Sequence, residues 1–243
     1  NQNGLYRVRA MSGTLTGSPR TFLVTAISSA AAMLAESGSG QIDTIGTTLL
    51  LPFAVRVNDV SGKSVAGVSV DFAITPPPGA SGMALSNNSD LTNGLGIATT
   101  TMRLGNKVGP YTVTATTSAL PGVKVDLSAT ATAGAAVAMT ASGGVTLQQD
   151  TILNVLDSAF VVRVNDIGGN NVPNVSVQFA LGTPPLGATG QALSVTDTTT
   201  NAGGTASTRL TLGSKVGTYQ VTATAGTLSN VIFTAQAVRG APA

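Results

Sequence analysis

Apolar and polar residues alternate along much of the chain with a period of two. Phe53, Val55 and Val57 alternate with Ala54, Arg56 and Asn58, and Phe160, Val162 and Val164 repeat the row further on. Successive side chains of a strand point to opposite faces, so this pattern predicts strands with one face buried. Val68, Val70, Phe72 and Ile74 form the next inward row, mirrored by Val175, Val177, Phe179 and Leu181. Ala98, Thr100, Met102 and Leu104 predict one later strand, with Ala206, Thr208, Leu210 and Leu212 as counterparts. Tyr111, Val113 and Ala115 follow, matched by Tyr219, Val221 and Ala223; a last strand carries Val123, Val125 and Leu127, matched by Val231, Phe233 and Ala235. The intervening NDVSGKS and NDIGGNN are turn chemistry, because Asn, Asp and Gly accept left-handed and Asx-turn backbones.

These rows belong to an internal repeat. VRVND at Val55 to Asp59 returns at Val162 to Asp166, and VAGVSVDFAI is matched by VPNVSVQFAL at the same displacement of 107 residues. LGNKVGPYTVTAT is matched by LGSKVGTYQVTAT at a displacement of 108, so one residue has entered the loop between them. The start of the chain repeats too: Gly4 to Leu15 aligns with Gly217 to Leu228, and Phe22, Val24 and Ala26 align with Phe233, Ala235 and Ala237. The expected organisation is therefore residues 1–27 as the C-terminal hairpin of a preceding, incomplete repeat, then repeats over 28–134 and 135–243. The junction ATAGAAVA is short and apolar, which predicts units stacked end to end rather than tethered flexibly. About seven short strands in each repeat predict an all-β fold of tandem immunoglobulin-like β-sandwiches.

Composition removes most catalytic chemistry. The 243 residues include no Cys and no His, one Glu (Glu36) and nine scattered Asp. There is no imidazole base, no thiolate, no disulfide and little from which to build a paired-carboxylate site. The expectation is no enzyme and no cofactor. A net charge of +2 without a basic stripe argues against nucleic acid, and no apolar run is long enough for a membrane span. No Trp is present for a sugar-stacking platform.

Each of the three tyrosines, Tyr6, Tyr111 and Tyr219, follows a Gly-containing turn, with Val8, Val113 or Val221 two positions later. This is the spacing of a tyrosine corner, in which the hydroxyl bonds back to backbone, and all three are assigned a structural role. Turn residues Asp59 and Asp166 are the calcium candidates, although the multi-ligand spacing of a calcium loop is missing and turn capping is the reading set beside them. Lys107 and Lys215 read as solvated turn charges. The proline loops TPPPGASG and GTPPLGATG are the first place to look for a binding surface. The sequons at Asn87 and Asn174 read as accidental, the second lying in a predicted strand.

The blocks VNDVSGKSVAGVSVDF, TNGLGIATTTMRLG and GPYTVTAT, with their second copies VNDIGGNNVPNVSVQF, TNAGGTASTRLTLG and GTYQVTAT, resemble the bacterial Ig-like (Big-1 type) repeats of the intimin and invasin adhesin group. The resemblance implies a non-catalytic spacer: stacked modules forming a stiff extracellular or cell-surface stalk. Implied partners are other Ig-like modules of the same chain or of neighbouring subunits, and a host or surface receptor reached through domains absent here. The alternative is a subunit or decorating component of an extracellular or phage filament, assembled through the incomplete first repeat.

Overall fold

The computed structural model describes residues 4–14, 16–26, 28–143 and 147–240. Leu15 and Ile27, used above for the first alignment and the first boundary, lie outside them. Every regular element among the described residues is a strand. A two-stranded hairpin, β1 (Gly4–Ala10) and β2 (Arg20–Ala26), precedes twenty further strands. Those twenty form two sets of ten in the same order.

The first set is β3 (Ala32–Ser37), β4 (Gln41–Thr44), β5 (Phe53–Asn58), β6 (Ser69–Thr75), β7 (Ala84–Leu85), β8 (Ser89–Leu91), β9 (Ile97–Thr100), β10 (Met102–Arg103), β11 (Gly109–Thr116) and β12 (Lys124–Thr132). The second is β13 (Ala136–Ala141), β14 (Leu147–Thr151), β15 (Phe160–Asp166), β16 (Ser176–Leu181), β17 (Ala192–Leu193), β18 (Asp197–Thr199), β19 (Thr205–Thr208), β20 (Leu210–Thr211), β21 (Gly217–Thr224) and β22 (Val231–Val238). Each set builds a five-stranded sheet, β4-β12-β11-β6-β8 or β14-β22-β21-β16-β18, and a three-stranded sheet, β3-β5-β9 or β13-β15-β19. A small pair, β7 with β10 or β17 with β20, completes each set. The chain divides into two compact units, one of residues 1–105 and 109–131, the other of residues 106–108 and 132–243.

Each unit has its own core. In the first, Phe53, Val55 and Val57 from one sheet meet Val70, Phe72, Tyr111, Val113 and Leu127 from the other. In the second, Phe160, Val162 and Val164 meet Val177, Phe179, Tyr219, Val221 and Phe233. Phe233 faces Val221 as Leu127 faces Val113, so it occupies the place of Leu127 rather than that of Val125 as the sequence match had it, and it stacks on Phe160 with ring centroids 4.7 Å apart. Such a pair contributes about 1 kcal/mol beyond its buried area.

Three further details differ from the sequence expectation. Each set has ten strands rather than about seven: the predicted strand through Ala98 and Leu104 is cut in two, and short strands such as β7 and β8, or β17 and β18, stand between the longer ones. The first half of the cut strand, β9, pairs with β5, and the second, β10, pairs with β7. β3 and β4 join different sheets, as do β13 and β14. Asn174 lies in a turn at φ 61° rather than in a strand. Finally, the buried residues of β12 are Leu127, Ala129 and Ala131, whereas Val123 is 38% exposed. The inward parity is the expected one, but the strand runs further toward Thr132.

Candidate functional site

The recurring polar residues gather at the turn after β5 and its equivalent after β15. Sequence there dictates a tight reversal: Gly62 and Gly169 take φ values of 81° and 74°, which favour glycine. The preceding Asp caps the turn. Asp59 Oδ1 accepts from the Ser61 N–H at 2.8 Å, the Ser61 hydroxyl at 2.7 Å and the Lys63 N–H at 3.0 Å, and Oδ2 accepts from the Ser28 hydroxyl at 3.1 Å. The Ser61 hydroxyl is the strongest influence on this carboxyl, followed by the Lys63 N–H, and together these donors hold its pKa down at about 2.

Asp166 repeats the arrangement with different donors. Its Oδ1 accepts from the Gly168 N–H, the Asn170 N–H and the Asn170 side-chain amide at 2.9, 2.9 and 3.0 Å. Oδ2 accepts from the Gly134 N–H at 2.9 Å and from the Asn170 amide at 3.0 Å. Burial by itself pushes this carboxyl up; donation by Asn170, Gly134 and Gly168 outweighs it, so the pKa lies below the usual aspartate value. Both carboxylates thus tie the turn to the segment that leads into their own unit, at Ser28 or at Gly134.

As calcium candidates these two aspartates stand apart from other carboxylates. Among the described residues no three His, Cys, Asp or Glu side chains gather as a metal-binding group. The carboxylate oxygens face N–H and O–H donors, which a cation would have to displace.

Tyr111 and Tyr219 are buried, and the Tyr219 hydroxyl donates to the Lys215 carbonyl, four residues upstream, at 2.9 Å. Glycine leaves room for that ring: a Cβ at Gly213 would lie 2.6 Å from the Tyr219 oxygen, and one at Gly105 would lie 2.8 Å from that of Tyr111. Tyr6 is 48% exposed. The same strand pairing surrounds all three. Tyr6 faces Val24 and Val8 faces Phe22, just as Tyr219 faces Ala235 and Val221 faces Phe233.

Sequence reasoning missed Thr92 and Thr200. Both are buried, and each hydroxyl accepts one backbone N–H (Val68 or Val175, 2.9 Å) while donating to one carbonyl (Val65 or Val172, 2.7 Å). The available signal was the recurring Thr-Asn that opens TNGLG and TNAGG. The following Asn93 and Asn201 cap the next turn in the same way.

Lys107 is half-buried rather than solvated and donates to the Gly168 carbonyl at 2.7 Å, within the unit to which residues 106–108 belong. Lys215 is exposed. In the proline loops, Pro77 and Pro185 pack over Gly109 and Gly217, and Leu186 is fully exposed. The Asn87 side-chain amide donates to the Ser89 and Thr99 carbonyls, which engages the nitrogen a glycan would need. An exposed ion pair, Glu36 with Arg56, bridges β3 and β5, and its hydrogen bond lowers the Glu36 pKa. Three open clefts, of about 270, 470 and 230 Å³, have Arg20 and Arg103 as their only titratable lining residues. Serine and threonine hydroxyls line the two clefts that hold these arginines, and no carboxylate, His, Cys or Lys is among the lining residues to activate them.

No family model matches the chain, and no curated protein matches it. Solved structures do. The D0-D1 domains of intimin share 22% identity over 86% of this chain and 97% of theirs, with a TM-score of 0.32. The Escherichia coli adhesin FdeC shares 18% over 95% of this chain and 74% of its own, with a TM-score of 0.45. InvD of Yersinia pseudotuberculosis shares 14% over 86% of this chain and 57% of its own, with a TM-score of 0.49. At these identities the likeness is one of fold and carries no residue role across.

Proposed function

We propose that the chain is a non-catalytic spacer, a run of Ig-like modules within an extracellular or cell-surface stalk. One observation carries this reading: the aspartates, threonines and tyrosines that recur between the two units are engaged within the units themselves. Asp59 and Asp166, Thr92 and Thr200, and Tyr219 each bond to backbone of their own unit. What the repeat preserves is a way of holding the module together, as a spacer multiplied in number requires. Sedimentation and small-angle scattering test it. A monomer with a long dimension near the sum of two sandwich lengths supports the spacer, and polymers in dilute solution overturn it in favour of a filament subunit.

The hairpin supports a companion reading, that β1 and β2 are the last two strands of a further repeat. Their register is that of β21 and β22, yet Tyr6, Val8, Phe22 and Val24 are 48 to 56% exposed whereas Tyr219, Val221 and Phe233 are at most 2% exposed. A lone hairpin is marginal in water. A copy of residues 132–216 placed before Gly4 supplies the remaining strands, and hydroxyl-radical oxidation of Tyr6 and Phe22 should then fall to the level of Tyr219 and Phe233. Undiminished oxidation rejects this completion. Protection already present in the unextended chain, together with polymers, favours a second copy as the source of the strands.

A further inference from the structure

We infer that residues 214–216 of the second unit form a docking loop for a further Ig-like module, and that a glycine and an asparagine in one turn of that module decide whether it is accepted. This role rests on the spacer reading, in which modules follow one another along a chain.

The second unit holds such a loop in its seated form. Residues 106–108 belong to that unit, although residues 105 and 109 on either side belong to the first. They lie on the turn after β15. Lys107 donates to the Gly168 carbonyl at 2.7 Å, the Val108 N–H donates to Asn170 Oδ1 at 3.2 Å, and the Asn170 side-chain amide donates to the Asn106 carbonyl at 2.9 Å. Gly168 permits this approach, since a Cβ there would run into the Asn106 carbonyl. Its φ lies outside the left-handed region, so it is the closeness of the loop, not the backbone conformation, that calls for glycine at this position.

The counterparts of residues 106–108 in the second repeat are Ser214, Lys215 and Val216. They offer the same carbonyl, the same ammonium and the same N–H. Lys215 is exposed, whereas Lys107 is half-buried. A module that seats this loop needs a turn like that of residues 167–170, and the first unit lacks one. Ser61 stands there in the place of Gly168, and Lys63 in the place of Asn170. The serine brings the Cβ that the seated carbonyl excludes, and a lysine side chain has no acceptor for the Val216 N–H. The loop therefore takes a module of the second kind and refuses one of the first, including residues 60–63 of another copy of this chain. Selectivity of this sort comes as much from groups that repel the wrong partner as from bonds to the right one.

Ala237 faces Gly217 as Ala131 faces Gly109, so a copy of residues 135–243 joined after Gly240 repeats the native spacing. Acetylation by acetic anhydride, read by mass spectrometry, should then slow about tenfold at Lys215, as a docked population of about 90% gives, and match the rate of Lys107 in the same molecule. A joined copy carrying Gly168→Ser and Asn170→Lys should leave Lys215 at its original rate. An unchanged Lys215 beside the first copy, or equal protection by both copies, overturns the docking loop. Circular dichroism melting shows whether the joined copy folds. If it does not, Gly168→Ser with Asn170→Lys in the chain as it stands should raise Lys107 acetylation to the rate of Lys215, and an unchanged rate overturns the role of the pair. The first unit already carries serine and lysine at this turn, so the fold accepts them. Failure here leaves the spacer reading standing, whereas polymers of the unextended chain in sedimentation would remove the spacer and leave the labelling difference intact.

Discussion

Replacing Asp166 by Ala removes a carboxylate that organises one whole turn of the second unit. Three backbone donors lose their acceptor: Gly134, Gly168 and Asn170, each at 2.9 Å. The Asn170 amide keeps one partner, the Asn106 carbonyl at 2.9 Å. Of the three orphaned donors, that of Asn170 is buried and the other two are part-buried and can recover water. An unsatisfied buried donor costs about 1 to 3 kcal/mol and a part-buried one less, which puts the loss at about 2 to 3 kcal/mol. For a unit of about 110 residues each kcal/mol moves Tm by about 4 °C, so the second unit should melt about 10 °C lower. Hydrogen exchange read by mass spectrometry separates the units: protected amides of β15, β16, β21 and β22 should exchange about 30-fold to 150-fold faster, at 1.4 kcal/mol per factor of ten, while those of the first unit stay unchanged. A loss below about 0.5 kcal/mol would refute the capping argument, since surface substitutions alone reach that size. Equal acceleration in both units would refute the independence of their cores.

Three further outcomes follow from the same contacts. Tyr219→Phe removes one hydroxyl bond to the Lys215 carbonyl and should destabilise the second unit alone by about 1 kcal/mol in urea unfolding. The Asp59 carboxyl lies at about 2 against an ordinary value of 3.8, so its contribution is fully present above about pH 4 and is lost as pH falls toward about 2. Urea midpoints of the first unit should decline through that window, and Asp59→Asn should flatten the decline. Millimolar calcium, or a chelator, should leave the melting of both units unchanged; a rise with calcium that Asp59→Asn or Asp166→Asn abolishes would restore the metal reading.

Much of this protein was legible in its sequence because the information was local and written twice. The period of two placed Val55, Val70 and Val113 inward without reference to any partner, and the second copy confirmed each row with Val162, Val177 and Val221. Asp59 and Asp166 were recognisable as turn residues because an Asx cap reaches only two to four residues ahead. Thr92 was not, because its hydroxyl serves Val65 and Val68, which are distant in sequence. Nor could the fate of Ser28 and Gly134 be foreseen, since each bonds an aspartate more than thirty residues away.

The strands and their inward faces were therefore decided by the sequence itself, through side-chain alternation and turn chemistry. Which strands pair was decided by tertiary structure. The break of the predicted 98–104 strand, the placing of β3 and β4 in different sheets, and the parallel course of β14 along β22 all depend on closing two sheets around one core. Backbone hydrogen bonds are chemically the same for every residue, so no side-chain pattern distinguishes a parallel neighbour from an antiparallel one; only the packed fold does.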